Sequence, residues 1–158
     1  MKKVRDIMTR DLVTVDQEDS IFDVAEICKQ RSISGVPVLN SGKLVGVVSV
    51  SDIIRFMTFK LRQENIIARD PDPESLLIFA MLKMGTNIFN FKKELARISR
   101  TKVKDVMSKK LVTISPEQGL FDAANLMQKK SVNRLLVVEN ENLIGIIARQ
   151  DLIRELVK

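Results

Sequence analysis

Apolar residues along the chain switch between two periods, and they do so twice. Leu12-Val-Thr-Val15 is a short, β-branched apolar run, the pattern of a buried strand. Ile21, Val24, Ala25, Ile27 and Cys28 then recur at helical spacing, with Asp16 the expected N-cap. Val36-Pro-Val-Leu39 reads as a second strand and Leu44 to Val48 as a third. Between them Asn40-Ser-Gly-Lys43 is a hairpin turn in which Gly42 is free to take positive φ. A further helix opens at Ser49 to Asp52 and carries Ile53, Ile54 and Phe56. The unit is β-α-β-β-α. Its crossover helix allows the first two strands to run parallel, and the hairpin sets the third antiparallel.

Moving the chain by 99 residues, Val4 onto Val103, superposes this pattern on itself without a gap. Residues 4–57 against 103–156 hold 17 identities in 54 pairs. Val4-Arg-Asp-Ile-Met-Thr falls on Val103-Lys-Asp-Val-Met-Ser, Leu12-Val-Thr-Val on Leu111-Val-Thr-Ile, and Phe22-Asp-Val-Ala on Phe121-Asp-Ala-Ala. Leu44-Val-Gly falls on Leu143-Ile-Gly, and Asp52-Ile-Ile-Arg on Asp151-Leu-Ile-Arg. Ser115 is the counterpart of Asp16 and is followed by Pro116 in the favoured first-turn position. The fold class expected is α/β (α+β), with two β-α-β-β-α repeats. Each three-stranded sheet has one raw face, which two copies can bury against each other.

The organisation expected is a first repeat over residues 1–57, a helical insert over 58–102 and a second repeat over 103–158. In the insert, Phe56 to Ile67 prolongs the preceding helix, and Asp70-Pro-Asp-Pro73 breaks it. Ser75 caps an apolar stretch from Leu76 to Met84, which Gly85-Thr-Asn87 ends. A basic helix with Phe89, Lys92, Lys93, Leu95, Arg97 and Ile98 follows.

Composition narrows the chemistry. Lys and Arg number 26 against 20 Asp and Glu, a net +6. That mild excess suits an anionic ligand, a nucleic-acid partner or plain surface charge. The absence of His removes the commonest general base and metal ligand. Cys28 is the only cysteine; it lies in the apolar helical pattern and reads as core, in a reducing cytosol. No signal peptide is visible at the N-terminus, and no apolar run is long enough to span a bilayer.

The richest chemistry lies at Gly46-Val-Val-Ser-Val-Ser-Asp52, where a strand ends and a helix starts. Helix N-terminal N–H groups favour anions, the Ser49 hydroxyl adds a donor, and the Asp52 carboxylate can accept two hydrogen bonds from a ribose diol. Ser-x-x-Asp is equally an ordinary capping box. In the second copy, Ala148-Arg-Gln-Asp151 keeps the acid without the cap hydroxyl, which points to a separate task for Asp151, and Arg149 can hold a phosphate. Ser34-Gly-Val-Pro37 and Asn133-Arg-Leu-Leu136 are the other suggestive stretches.

On these residues, each copy resembles a cystathionine-β-synthase (CBS) domain, and the pair resembles a Bateman module. The matching segments are Asp6-Ile-Met-Thr9 and Asp105-Val-Met-Ser108, Val13-Thr-Val15 and Val112-Thr-Ile114, Val36-Pro-Val38 and Arg134-Leu-Leu-Val-Val138, and the two segments ending in Asp52 and Asp151. The resemblance implies a pseudo-twofold pair that binds adenine nucleotides or S-adenosylmethionine-like ligands in clefts between the repeats, with no obligatory cofactor. Asp52 and Asp151 then hold ribose, and Ser49 helps hold phosphate. Ala148 departs from the pattern, leaving Arg134 and Arg149 as substitutes. The base lies near Met8, Thr14, Val15, Val36 and Pro37 in one site, and near Met107, Thr113, Ile114 and Leu135 in the other. Ser34, Gly35, Ser51, Asn133 and Gln150 complete the candidate ligand-binding set.

The expectation is a stand-alone cytoplasmic regulatory module that forms a homodimer, acts on a client protein and is not an enzyme. The alternative is a nucleic-acid-associated regulator. It would work through residues 58–102, where 9 Lys/Arg against 5 Asp/Glu carry +4 of the net charge.

Overall fold

The computed structural model describes residues 2–63 and 88–157. The expected breaker at residues 70–73, the Leu76 to Met84 stretch with its cap and stop, and any helix beyond Gln63 lie outside them. The chain forms two compact units that cut across chain order: Val15–Leu39 with Val45–Lys109, and Met1–Thr14 with Asn40–Leu44 and Lys110–Lys158.

The first of these holds β1 (Val15–Asp16), α2 (Ile21–Arg31), β2 (Gly35–Asn40) as far as Leu39, β3 (Lys43–Ser49) from Val45 onward, α3 (Val50–Gln63), α4 (Ile88–Ser99) and a 3-10 turn at Val103–Asp105. Its sheet order is β1-β2-β3, with β1 parallel to β2 through Val15 opposite Val38. The expected parallel crossover is therefore present. Ile21, Val24 and Cys28 bury one stripe of α2, as their spacing requires, and Val36, Val38, Val48, Ile53, Leu61, Ile98 and Val103 join them in the core. Cys28 is buried, as a core residue should be. The basic helix expected near residues 89–98 is α4, whose Ile98 is buried in this core.

The second unit holds α1 (Val4–Ile7), β4 (Thr113–Ile114), α5 (Leu120–Lys130), β5 (Arg134–Glu139), β6 (Asn142–Ala148) and α6 (Arg149–Leu156). The sheet order is β4-β5-β6; β4 runs parallel to β5, and β5 antiparallel to β6. Its core gathers Val4 and Met8 with Ile114, Ala123, Met127, Leu135, Val137 and Ile147.

Several local expectations are corrected. The first strand of each copy is shorter and later than the apolar run, because only Val15–Asp16 and Thr113–Ile114 pair with a neighbour. Asp16 does not cap α2. Its carboxylate accepts the Glu18 N–H inside a turn, and Ser20 is the N-cap, accepting the Asp23 N–H at 3.1 Å. Ser115 likewise accepts the Glu117 N–H in a turn that holds Pro116, and Gly119 is the N-cap of α5. The hairpin turns match expectation. Ser41 and Gly42 have φ of 51° and 79°, and their counterparts Asn140 and Glu141 have 49° and 66°. Positive φ at both central residues is the twist that a two-residue hairpin needs.

The segment before β1 and its counterpart before β4 are placed in the same way. Each lies against the last strand of its own unit's sheet: Thr9 bridges Ile146 of β6, and Ser108 bridges Val47 of β3.

Candidate functional site

In the β1–β3 unit, the start of β2 meets the start of α3. The Val50 N–H donates to the Ser34 carbonyl at 2.9 Å. This ties Ser34 to the first turn of α3 and brings Ser34, Gly35, Ser49 and Asp52 to one end of the sheet. A Cβ on Gly35 would lie 3.1 Å from the Val48 carbonyl oxygen, so β2 starts in close approach to the end of β3. Asp52 Oδ2 accepts the Ser49 N–H at 2.9 Å and the Ser49 hydroxyl at 2.8 Å, and Ser49 Oγ accepts the Asp52 N–H at 3.1 Å. The capping box is complete. Asp52 Oδ1 faces the exposed Arg55 guanidinium at 3.3 Å, and 22% of the Asp52 side chain stays open to solvent.

The other unit repeats this geometry without the hydroxyl. The Arg149 N–H donates to the Asn133 carbonyl at 3.0 Å, Asp151 Oδ2 accepts the Ala148 N–H at 2.8 Å, and Asp151 Oδ1 faces Arg154 at 3.7 Å. This corrects one inference. Retention of Asp151 beside Ala148 does not by itself imply a separate task, because the carboxylate half of a capping box needs only the N-cap backbone N–H. Arg134, at the start of β5, pairs across the strands with Ala148, so Arg134 and Arg149 stand at the same end of this sheet.

The remaining candidates divide by burial. Val15, Val36, Ile114 and Leu135 are buried core side chains, and Pro37 is buried too. Thr14 precedes β1 and is half-buried, whereas Thr113 in β4 is exposed. Ser34, Ser51, Asn133, Arg134, Arg149 and Gln150 are exposed. Met107 lies against Gly46 of β3, where an added Cβ would be 2.6 Å from its sulfur. Met8 takes the matching seat on Gly145.

Sequence reasoning passed over two sets of charges. Arg55 and Arg154 each sit one helical turn after the acid they face, a spacing visible in the chain. The other set is a repeated clamp. Glu18 binds Lys102 and Lys104, and its counterpart Glu117 binds Lys3 and Arg5. The 99-residue shift already puts these charges in register. Hydrogen bonds from Lys102 and then Lys104 hold the Glu18 carboxyl down at about 2. The bond to Glu18 raises Lys104, and the bond from Lys3 lowers Glu117. Among the described residues no group of three or more His, Cys, Asp or Glu is placed to hold a metal ion, and no helix is long and apolar enough to cross a membrane.

Two sheets of like topology, each ending in an acid-capped helix, define a tandem-repeat protein. The CBS-domain family model matches residues 4–58 and 103–158, and the chain belongs to that family. It is 40% identical over 156 residues to the protein MJ1426 of Methanocaldococcus jannaschii, covering 98% of this chain and 90% of that one. Its fold is similar to that of CBSX2, solved in complex with AMP, with a TM-score of 0.69, 24% identity, and 99% and 97% of the two chains covered. It is also similar to the CBS domain pair of the protein MJ0100, solved with 5′-methylthioadenosine and S-adenosyl-L-methionine (TM-score 0.65, 19% identity, 99% and 97% covered).

Proposed function

We propose that this CBS pair is a regulatory module that binds an adenosine-type ligand, an adenine nucleotide or an S-adenosylmethionine-like molecule. The observation that carries the reading is the repeated strand-to-helix junction, in which a partly open carboxylate caps α3 at Asp52 and α6 at Asp151. Each carboxylate has one oxygen held by backbone. The other faces an arginine that is 73% exposed at Arg55 and 70% exposed at Arg154. That oxygen can accept from a ribose hydroxyl once the flexible arginine swings aside. The AMP and S-adenosylmethionine complexes of the similar folds support the ligand class.

The chemistry around the two acids differs. Ser49 adds a hydroxyl at the first, and Arg134 and Arg149 add cations at the second, so the two sites bind with unequal affinity. Occupancy then biases packing of the module and its self-association, and the signal passes to a client protein. Exposed Phe121, Ile153 and Val157 in one unit supply apolar surface for a homodimer.

A thermal-shift and calorimetric panel of AMP, ADP, ATP and S-adenosylmethionine tests the reading. A ligand at a hundred times its dissociation constant adds about 2.7 kcal/mol. Asp52→Asn and Asp151→Asn should each remove one class of binding. Wild-type affinity in both variants would sink the assignment.

A further inference from the structure

Away from the Ser49–Asp52 junction, the β1–β3 unit contains a cavity of about 490 Å³ lined by Gln17, Val45, Lys104, Asp105, Met107 and Lys109. It is built by the peptide that precedes β4. The Val103 and Lys104 N–H groups donate to the Asp19 and Gln17 carbonyls at 2.8 and 3.0 Å. Further along, Ser108 exchanges two hydrogen bonds with Val47 at 2.8 and 3.0 Å. The cavity therefore has fixed walls on both sides. Its volume falls in the range of small-ligand pockets, roughly 300–1,000 Å³. Val45 and Met107 give it an apolar part, and Gln17, Lys104 and Lys109 bring donors. Asp105 adds one opposing charge. Of the residues assigned to adenosine binding, Met107 alone lines it.

The duplicated half serves as an internal control. The counterparts of Gln17, Lys104, Asp105 and Lys109 are Pro116, Arg5, Asp6 and Arg10. There the polar groups are already engaged. Arg5 is bound by Glu117 and Glu139, Arg10 donates to the Arg5 carbonyl, Asp6 accepts the Lys3 N–H, and Pro116 has no side-chain donor. In the first repeat's sequence Asn40 stands where the second has Glu139, and Lys104 is bound by Glu18, which also binds Lys102. The segment is an α-helix at Val4–Ile7 but a 3-10 turn at Val103–Asp105, and beside that turn Lys104 and Lys109 line the cavity.

We propose that this cavity is a second small-ligand site, specific to the first repeat, which takes a phosphate monoester on a compact apolar body. The phosphate sits between Lys104 and Lys109, the Gln17 amide donates to it, and the apolar body rests on Val45 and Met107. Ammonium groups act on phosphate as point charges and need no bidentate geometry. The bound ligand grips the same peptide that runs on into β4, which gives the first repeat a second chemical input.

Amide-detected NMR titration of the full chain with phenyl phosphate at physiological salt tests this. The expected result is saturable binding with a dissociation constant below about 1 mM, with shifts centred on Gln17, Val45, Asp105 and Lys109. Lys109→Glu should weaken it at least about tenfold, while Asp52→Asn and the counterpart variant Arg10→Glu leave it unchanged. Lys109 is exposed, so an unchanged melting temperature certifies the fold of its variant. Non-saturating shifts spread over surface lysines would overturn the proposal. So would equal weakening by Lys109→Glu and Arg10→Glu, or loss of binding in Asp52→Asn.

Discussion

The sulfur of Met8 occupies the space above Gly145, where a Cβ would lie only 2.5 Å from it. Thr9 and Ile146 exchange backbone hydrogen bonds beside this contact, at 2.8 and 3.0 Å. Met107 and Gly46 repeat the arrangement in the other unit, but there a Cβ would also come within 2.9 Å of the Ser108 carbonyl oxygen, against 3.2 Å from Thr9 in the first case. A thioether can rotate away, whereas a carbonyl committed to a backbone bridge cannot. Overpacking costs about 1–3 kcal/mol. Gly46→Ala should therefore fall near the upper end and Gly145→Ala near the lower. Measured in a Met8→Ala background, Gly145→Ala should cost little, whereas in a Met107→Ala background Gly46→Ala should keep most of its cost. Urea unfolding of the single and double variants measures both differences.

Ala148 leaves its helix half-capped. Its φ of −109° and ψ of 161° are those of an N-cap, and Asp151 already accepts its N–H. Ala148→Ser supplies the missing acceptor for the first-turn N–H groups, as Ser49 does for α3. The variant should be more stable by about 1 kcal/mol, a rise of about 2–4 °C in melting temperature for a chain of this size. Ser49→Ala should lose a similar amount. No gain from Ala148→Ser would mean that the α6 N-terminus is satisfied by solvent.

Element types and the duplication were legible because they rest on apolar periodicity, which burial enforces. Ile21, Val24 and Cys28 face a core, and no other rotation of α2 would bury them. Helix starts were less legible. Asp16, Ser20, Ser115 and Gly119 are all acceptable cap residues, and only the tertiary path decides which adopts the cap geometry. At the site, the capping box at Ser49 and Asp52 was readable from its spacing. The placement of Met107 on β3 was not, because local pattern does not reveal which sheet a peptide between two repeats will join. The charge clamp was readable in principle, since Glu18 and Glu117 and their cations obey the 99-residue shift.

The Glu18 clamp predicts a specific acid response. The carboxyl titrates at about 2 in the folded chain, against 4.5 for a free glutamate, so folding favours its ionised form. The stability this contributes is fully present above about pH 4.5 and is lost as pH falls toward 2. Both partners are well exposed, so the effect is small. The difference in urea midpoint between wild type and Glu18→Gln should be constant from neutral pH down to about pH 5, then shrink toward zero near pH 2. A difference independent of pH would show that the ion pairs contribute nothing.

The two hairpin turns provide a test that the repeat itself controls. Gly42 and Glu141 occupy equivalent positions with φ of 79° and 66°, a region that costs a side-chain-bearing residue about 1–2 kcal/mol. Glycine returns about 0.5–1 kcal/mol of that through its greater freedom in the unfolded chain. Glu141 is exposed and makes no packing contribution that its removal would forfeit. Glu141→Gly should thus stabilise the chain by about 0.5–1 kcal/mol. Gly42→Ala should destabilise it by a similar amount, although a Cβ there meets no atom within 4 Å. Because the space is open, any loss at Gly42 is backbone strain and not a clash. Opposite signs in equilibrium unfolding would establish that the turn conformation sets the energetics. A neutral Glu141→Gly would show that this hairpin relaxes to another turn when its side chain is removed.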